Sequence, residues 1–308
     1  RRDIFMTREN SIPEIVGTGE TKITSNNGEM ENKGLDLAID YNKQITKDFF
    51  LSFKSTLTFA RNKVLKMDES PYFEYPGLSD VGHPLGTYGG YVADGLFPDQ
   101  ETIDNSPRQD LGYTPQPGDI KYVNQPNAKG EYDNVINSND RVAIGHPYDP
   151  ELVYGFGPSM KWKNWDFSFF FQGVARTSFM MYGMHPFGTT SIKNMLQFVA
   201  DDHWSVDNPN PNAAYPRLTK DSNGNNDQYS TYWLRNAAFL KLKNAEIGYT
   251  YKGMRFYLSG VNLLTFSPFK HWDPEMGGGN GLYYPTQRVQ YWFSNDHTVI
   301  KRYKIIKL

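Results

Sequence analysis

No cysteine occurs among the 308 residues. That excludes a disulfide scaffold, a thiolate-bound metal and a cysteine nucleophile. Charge of one sign is missing too. Lys and Arg number 32 against 34 Asp and Glu, a net −2, so neither nucleic acid nor an anionic surface is an expected partner. No run of about eighteen apolar residues is present, and a transmembrane helix is therefore not expected. Arg1–Asn10 lacks the apolar segment of a signal peptide, so the chain reads as starting mature or in the middle of something longer. The histidines (His83, His146, His185, His203, His271 and His297) never stand at ligand spacing, and neither a metal nor another cofactor is expected.

Aromatics are abundant instead, at 15% of the chain with 21 Tyr and 20 Phe, yet mean hydropathy is −0.63. Two physical sources fit that combination. One is a soluble carbohydrate-binding β-sandwich. The other is a transmembrane β-barrel, where aromatics form interface girdles and only alternate residues meet lipid.

Period-two alternation marks the strands. In "GLDLAIDY", Leu35, Leu37, Ile39 and Tyr41 share a face opposite Asp36, Ala38 and Asp40. In "FLSFKSTLTFA", Leu51, Phe53, Leu57 and Phe59 oppose Ser52, Lys54, Thr56 and Thr58. "LVYGFGPSMKW" and "WDFSFFFQG" alternate likewise. "FLKLKNAEIGYTY" changes parity between Leu242 and Ala245, which a β-bulge near Lys243–Asn244 reconciles. "RFYLSGVNLLTF" alternates less cleanly.

Connections between strands are either very short or very long. Tight turns follow Tyr41, Trp162 ("KN") and Tyr251 ("KGM"), whereas long loops run from about Met67 to Pro150, Met180 to Trp233 and Pro268 to Tyr284. Globular domains rarely carry an eighty-residue loop. Outer-membrane barrels pair short turns on one side with long loops on the other, and strands of nine to eleven tilted residues suffice to cross. Within the second loop, Ser191–Trp204 predicts a short helix capped by Thr189 or Thr190.

Several phrases, in this order, carry a resemblance: "GEMENKGLDLAIDY", "GDIKY", "NDRVAIGHPYDPELVYGFGPSMKWKNWDFSFFFQG", "STYWLRNAAFLKLKNAEIGYT", "YLSGVNLLTF", "HWDPEMG" and "YPTQRV". Together they resemble the C-terminal part of the SusC/RagA-like TonB-dependent outer-membrane transporters of Bacteroidetes, from Asp3 to about Val289. The resemblance implies an all-β fold, with about eight antiparallel strands of a 22-stranded barrel and long extracellular loops. It implies import of glycans or peptides, and partners to match. These are a SusD-like surface lipoprotein, the TonB complex (through an N-terminal part not seen here), an oligosaccharide or peptide ligand, and outer-membrane lipid. The implied address is the Gram-negative outer membrane.

Residues 1–289 read as this barrel portion and 290–308 as an atypical tail. A strand is expected after "YPTQRV", but "QYWFSNDHTVIKRYKIIKL" does not alternate. Shifting one hypothetical codon choice by a base gives "FNIGLAMT", which does. The tail thus reads as out-of-frame sequence, with a genuinely divergent ending as the other reading.

Candidate chemistry is sparse. Asp201, Asp202 and His203 can be a metal site or a general base, but on a polar loop helix they read better as a solvated face. Val123–Arg141 stands where the family has an Asp-rich calcium-like run; Asn, Gln and Pro replace the acids, and a plain turn is expected. In "WDPEMGGGNG", Trp272 can stack a sugar ring while Asp273 and Glu275 accept hydroxyl hydrogens, or the motif can simply pack the loop at the barrel mouth. Tyr41, Trp162, Trp165, Tyr249 and Tyr251 suit interface anchoring. No catalytic triad or paired carboxylates share a strand face, and no enzyme is expected.

Overall fold

A computed structural model describes residues 1–8, 23–69, 72–181, 187–188, 191–192, 196–219, 223–276, 286–294 and 304–305. One antiparallel sheet dominates it. In sheet order, which is also chain order, its strands are β1 (Ile4–Arg8), β2 (Ile23–Thr46), β3 (Phe49–Lys66), β4 (Leu152–Trp162), β5 (Trp165–Ala175), β6 (Phe239–Tyr251), β7 (Met254–Phe266), β8 (Val289–Ser294) and the two-residue β9 (Lys304–Ile305). This up-and-down order is that of a barrel wall. It gives nine strands where the sequence suggests about eight.

Cross-strand register keeps the alternation intact from strand to strand. Leu57 of β3 pairs with Leu37 and Tyr154, and Phe53 with Tyr41 and Pro158. Farther along, Trp162 pairs with Trp165, Trp165 with Tyr249, and Tyr249 with Phe256. Paired residues project to one side of a sheet, so a continuous apolar face forms. Thr56, Gly155 and Gln172 pair across the opposite, polar face. The bulge falls where parity changes: Phe170 pairs with Asn244 but Phe171 with Leu242, leaving Lys243 as the extra residue. A second irregularity explains the weak alternation of β7, where Asn262 and Leu263 separate Val261 from Leu264 and Asn262 takes φ 54°.

Among the described residues no second sheet covers either face, and the third loop reaches the polar face only near Lys241. Leu35 is 61% exposed, Trp162 52% and Phe266 55% on the apolar side. Opposite them, Arg255 bridges Asp166 and Glu246 (2.5 Å), and Lys54 approaches Asp40 at 3.7 Å. The main hydrophobic core lies in the loops, around Ile120, Tyr122, Ile136, Phe179, Met181, Trp204 and Trp233. A sandwich would bury the apolar face under a second sheet, and the other ladders here are two-stranded loop pairs. No described helix is long and apolar enough to cross a membrane, which says nothing about strands.

All three tight turns lie at one end of the sheet and all three long loops at the other, as alternation of short and long connections requires. In the turn after Tyr251, Lys252 (φ 45°) and Gly253 (φ 81°) both occupy the left-handed region, as a two-residue type I′ hairpin demands.

The helix predicted over Ser191–Trp204 is much shorter, spanning only Gln197–Asp201 with Leu196 at its N-cap and no side-chain cap. Ser191–Ile192 pairs instead with Phe187–Gly188. Backbone pairing of Trp204 N–H with the Tyr215 carbonyl (3.0 Å) ends the helix early. Thr189 and Thr190, the expected caps, lie outside the described residues. In the tail, Gln290 falls opposite Gly260 and Trp292 opposite Leu258.

Candidate functional site

The described parts of the three long connections, within residues 67–151, 176–238 and 267–288, rise from one rim and fold on each other. Their cohesion starts from a buried polar knot. Asp119 is fully buried at the end of "PGD", and its carboxylate accepts from Arg217 Nε (2.7 Å), Asn223 Nδ2 (3.0 Å), Asn226 Nδ2 (2.9 Å) and the Gln116 N–H (2.8 Å). Around it, Asn225 donates to the Ile120 carbonyl (2.8 Å), Asn226 accepts from the Ile120 N–H (2.9 Å), and Trp233 Nε1 donates to the Asn226 carbonyl (2.7 Å). Gln109 accepts from the Tyr122 N–H (2.6 Å), and Tyr122 in turn donates to the Asn225 carbonyl (2.7 Å). Burial pushes the Tyr122 phenol far above its ordinary range, so it stays a neutral donor. First and second loops are thereby tied by groups about a hundred residues apart.

A second tie joins the third loop to the wall. Lys241 of β6 lies on the polar face, paired with Gln172 and Thr265, and is fully buried. Its ammonium donates to Asp273 (2.6 Å) and Glu275 (2.6 Å), while the bulge residue Lys243 also donates to Glu275 (2.7 Å). Thr286 closes the loop base by donating to Asp273. Burial raises the Asp273 carboxyl, but hydrogen bonds from Lys241 and Thr286 outweigh it and hold the group below the usual carboxylate range. Glu275 is lowered likewise, by Lys241 and Lys243 against burial.

The residues singled out in sequence are thus brought together, with Asp273 and Glu275 clamping Lys241. Trp272 joins an aromatic cluster, 4.5 Å from Phe269 edge-to-face and 6.0 Å from Phe179, with its buried Nε1 unpartnered. His271 stacks on Phe198 at 4.1 Å. Burial, then the Arg235 charge, lowers the His271 pKa. His203 hydrogen-bonds the Ala200 carbonyl (2.8 Å), and Asp201 and Asp202 are exposed. In the Val123–Arg141 stretch, Asp140 caps a turn, accepting from the Gln125 N–H (2.7 Å) and Asn137 N–H (2.8 Å).

These pKa directions have a common sign. A folded-state value below the unfolded one stabilises above the unfolded pKa, and that stability is lost as pH falls through the folded value. His271 starts from 6.5, Glu275 from 4.5 and Asp273 from 3.8. Acidification is therefore expected to loosen residues 267–276 in two stages, a mild one below pH 6.5 and a steeper one below pH 4.5. Hydrogen exchange between pH 7 and 3 reads this directly, and protection that stays flat to pH 3 contradicts it.

An up-and-down sheet with two open faces, one apolar and one charged, with folded loops at a single rim, is the wall of a transmembrane β-barrel. No family model matches the chain. Among curated relatives, TonB-dependent receptor P26 of Formosa agariphila is 29% identical over 290 residues, covering 86% of this chain and 28% of the relative. TonB-dependent receptor SusC of Bacteroides thetaiotaomicron is 27% identical over 293 residues, covering 88% of this chain and 26% of SusC. Among solved structures, the RagAB peptide importer in its closed-closed state superposes with a TM-score of 0.65 at 22% identity, over 95% of this chain and 32% of that one. The chain therefore spans less than a third of the length of these relatives. Its resemblance to the SusC/RagA-like TonB-dependent transporters holds across most of its length, and its address is the cell outer membrane.

Proposed function

We propose that this chain supplies wall and mouth for a TonB-dependent importer of oligosaccharides or peptides, working with a SusD-like surface lipoprotein. The observation that carries the reading is the location of the core: the loops bury it, while among the described residues no second sheet covers either face of the wall. Such a sheet fits lipid on one side and a wet lumen on the other. Leu51, Phe53, Leu57 and Phe59 then meet lipid, and Lys54, Thr56 and Thr58 the lumen. The TonB complex acts through another part of the protein. Trp272, Asp273 and Glu275 serve best as the clamp that holds the third loop over the lumen, so they shape the ligand path without being required to touch ligand. Residues 290–308 keep the reading given above, an out-of-frame ending, which resequencing the gene across the Tyr284 codon tests.

The first two loops are the surface for the lipoprotein. They carry apolar side chains that no described residue covers, Phe73 at 83% and Val206 at 85% exposure. Loops of this length are seldom mere connectors and usually carry function, and these two side chains offer apolar contact on them. Phe73→Asp with Val206→Asp is expected to abolish co-purification of the lipoprotein and leave the barrel inserted, because neither residue packs in the loop core. Undiminished co-purification contradicts the assignment.

A further inference from the structure

We infer that the hairpin tips form a lysine rim that binds the phosphate headgroups of anionic phospholipid in the inner leaflet. The inference rests on the barrel reading above, which puts these tips at the periplasmic side.

Each of the three tight turns carries a lysine at its tip: Lys47, Lys163 and Lys252. Lys43, register partner of Leu51, adds a fourth on the apolar face. Two tip lysines fold back onto that face. Lys163 Nζ lies 5.8 Å from the Trp162 ring centroid and Lys252 Nζ 5.4 Å from that of Tyr251. Both rings belong to the apolar face, and both are half exposed. With Tyr41, Trp165, Tyr249 and Phe256 they form an aromatic band at this end of the sheet. Such a band sits at headgroup level, where an apolar ring meets water. The ammonium groups above it stand where lipid phosphates stand, and long lysine stems reach that level by snorkelling.

Charge is segregated around this rim. The nearby carboxylates Asp40, Asp166 and Glu246 belong to the polar face, where Arg255 and Lys54 pair with them. Asp48 alone shares a tip with a lysine. None of Lys43, Lys47, Lys163 and Lys252 forms an ion pair among the described residues. Backbone geometry adds a separate argument. Lys163 and Lys252 hold φ 52° and 45°, a region where Asn or Gly costs less. The turns keep lysine against that preference, which fits a role for the charge itself. A net charge of −2 conceals the rim, because it sums over a chain whose acids, Asp48 apart, lie on the polar face or toward the loop end.

The test reconstitutes the protein, purified from its own outer membrane, in bilayers of equal phosphatidylglycerol and phosphatidylcholine. Native mass spectrometry then counts the lipids that stay bound. Phosphatidylglycerol is expected to be retained over phosphatidylcholine by on the order of tenfold. The preference should fall to near parity in the combined variant Lys47→Gln, Lys163→Asn, Lys252→Asn. Asn suits the left-handed turn positions, so the hairpins survive neutralisation. Arg at the three positions should keep the preference. Insertion with equal retention of the two lipids overturns the lysine rim, and so does a preference that the neutral variant keeps or the Arg variant loses. Failure to enter bilayers at all would instead overturn the barrel reading on which it rests.

Discussion

Asp119→Ala is expected to detach the first two loops from each other while the sheet stays paired. The carboxylate is fully buried and accepts from Arg217, Asn223, Asn226 and the Gln116 backbone. Removing it leaves the Arg217 charge, itself 17% exposed, without its carboxylate partner and two buried amides without acceptors. Breaking a buried pair from one side costs about 3–5 kcal/mol, a large share of the roughly 5–15 kcal/mol that holds an ordinary domain together. The Asn225–Asn226 corner, which also holds Trp233 and Ile120, should follow. Limited proteolysis should cut near residues 113–119 and 217–226 in the variant only. Asp119→Asn keeps one acceptor oxygen and should lose less. Wild-type protease resistance in Asp119→Ala means that the knot does not bind the loops together.

The combined variant Asp273→Asn, Glu275→Gln should release the third loop from the wall. Lys241 is fully buried, and these two carboxylates neutralise it. Without them a lone ammonium remains in a site closed to water, at a cost again of about 3–5 kcal/mol. Adding Lys241→Met should recover most of the loss, since replacing a whole buried pair by an apolar group is often close to neutral. Recovery separates release of a charge from general damage to the loop. Thermal unfolding followed by hydrogen exchange at residues 267–276 measures both. If the double variant matches wild type, the clamp contributes nothing.

Legibility from sequence followed the range of the interaction. Strands β2 to β6 could be read because their faces alternate, and a residue's side in a sheet depends only on its neighbours in the chain. Even the bulge at Lys243 left a local trace, the parity change between Leu242 and Ala245. The kink at Asn262 left almost none, since apolar residues flank it on both sides. Asp119 could not be found this way. Its partners lie about a hundred residues on, and "GDIKY" reads as an ordinary turn until Asn223 and Asn226 arrive. The asparagines at 223, 225 and 226, around Gly224, are the one local sign of a tight polar corner. Trp272, Asp273 and Glu275 stood out in the sequence with two uses, ligand contact or packing of the loop at the barrel mouth; what the sequence did not reveal is that Lys241 lies buried beneath the two carboxylates. The helix over Ser191–Trp204 was overextended for the same reason: pairing of His203 and Trp204 with Tyr215 is tertiary.

The central claim is that this sheet is a membrane wall, lipid on one face and water on the other. Nitroxide labels at Phe53 and Thr56, three residues apart on β3 and on opposite faces, test it in the native outer membrane. Power-saturation measurements with oxygen and a water-soluble nickel reagent should report lipid at Phe53 and water at Thr56. Water at Phe53 with lipid at Thr56 would invert the wall, and water at both would mean that the sheet does not cross a membrane.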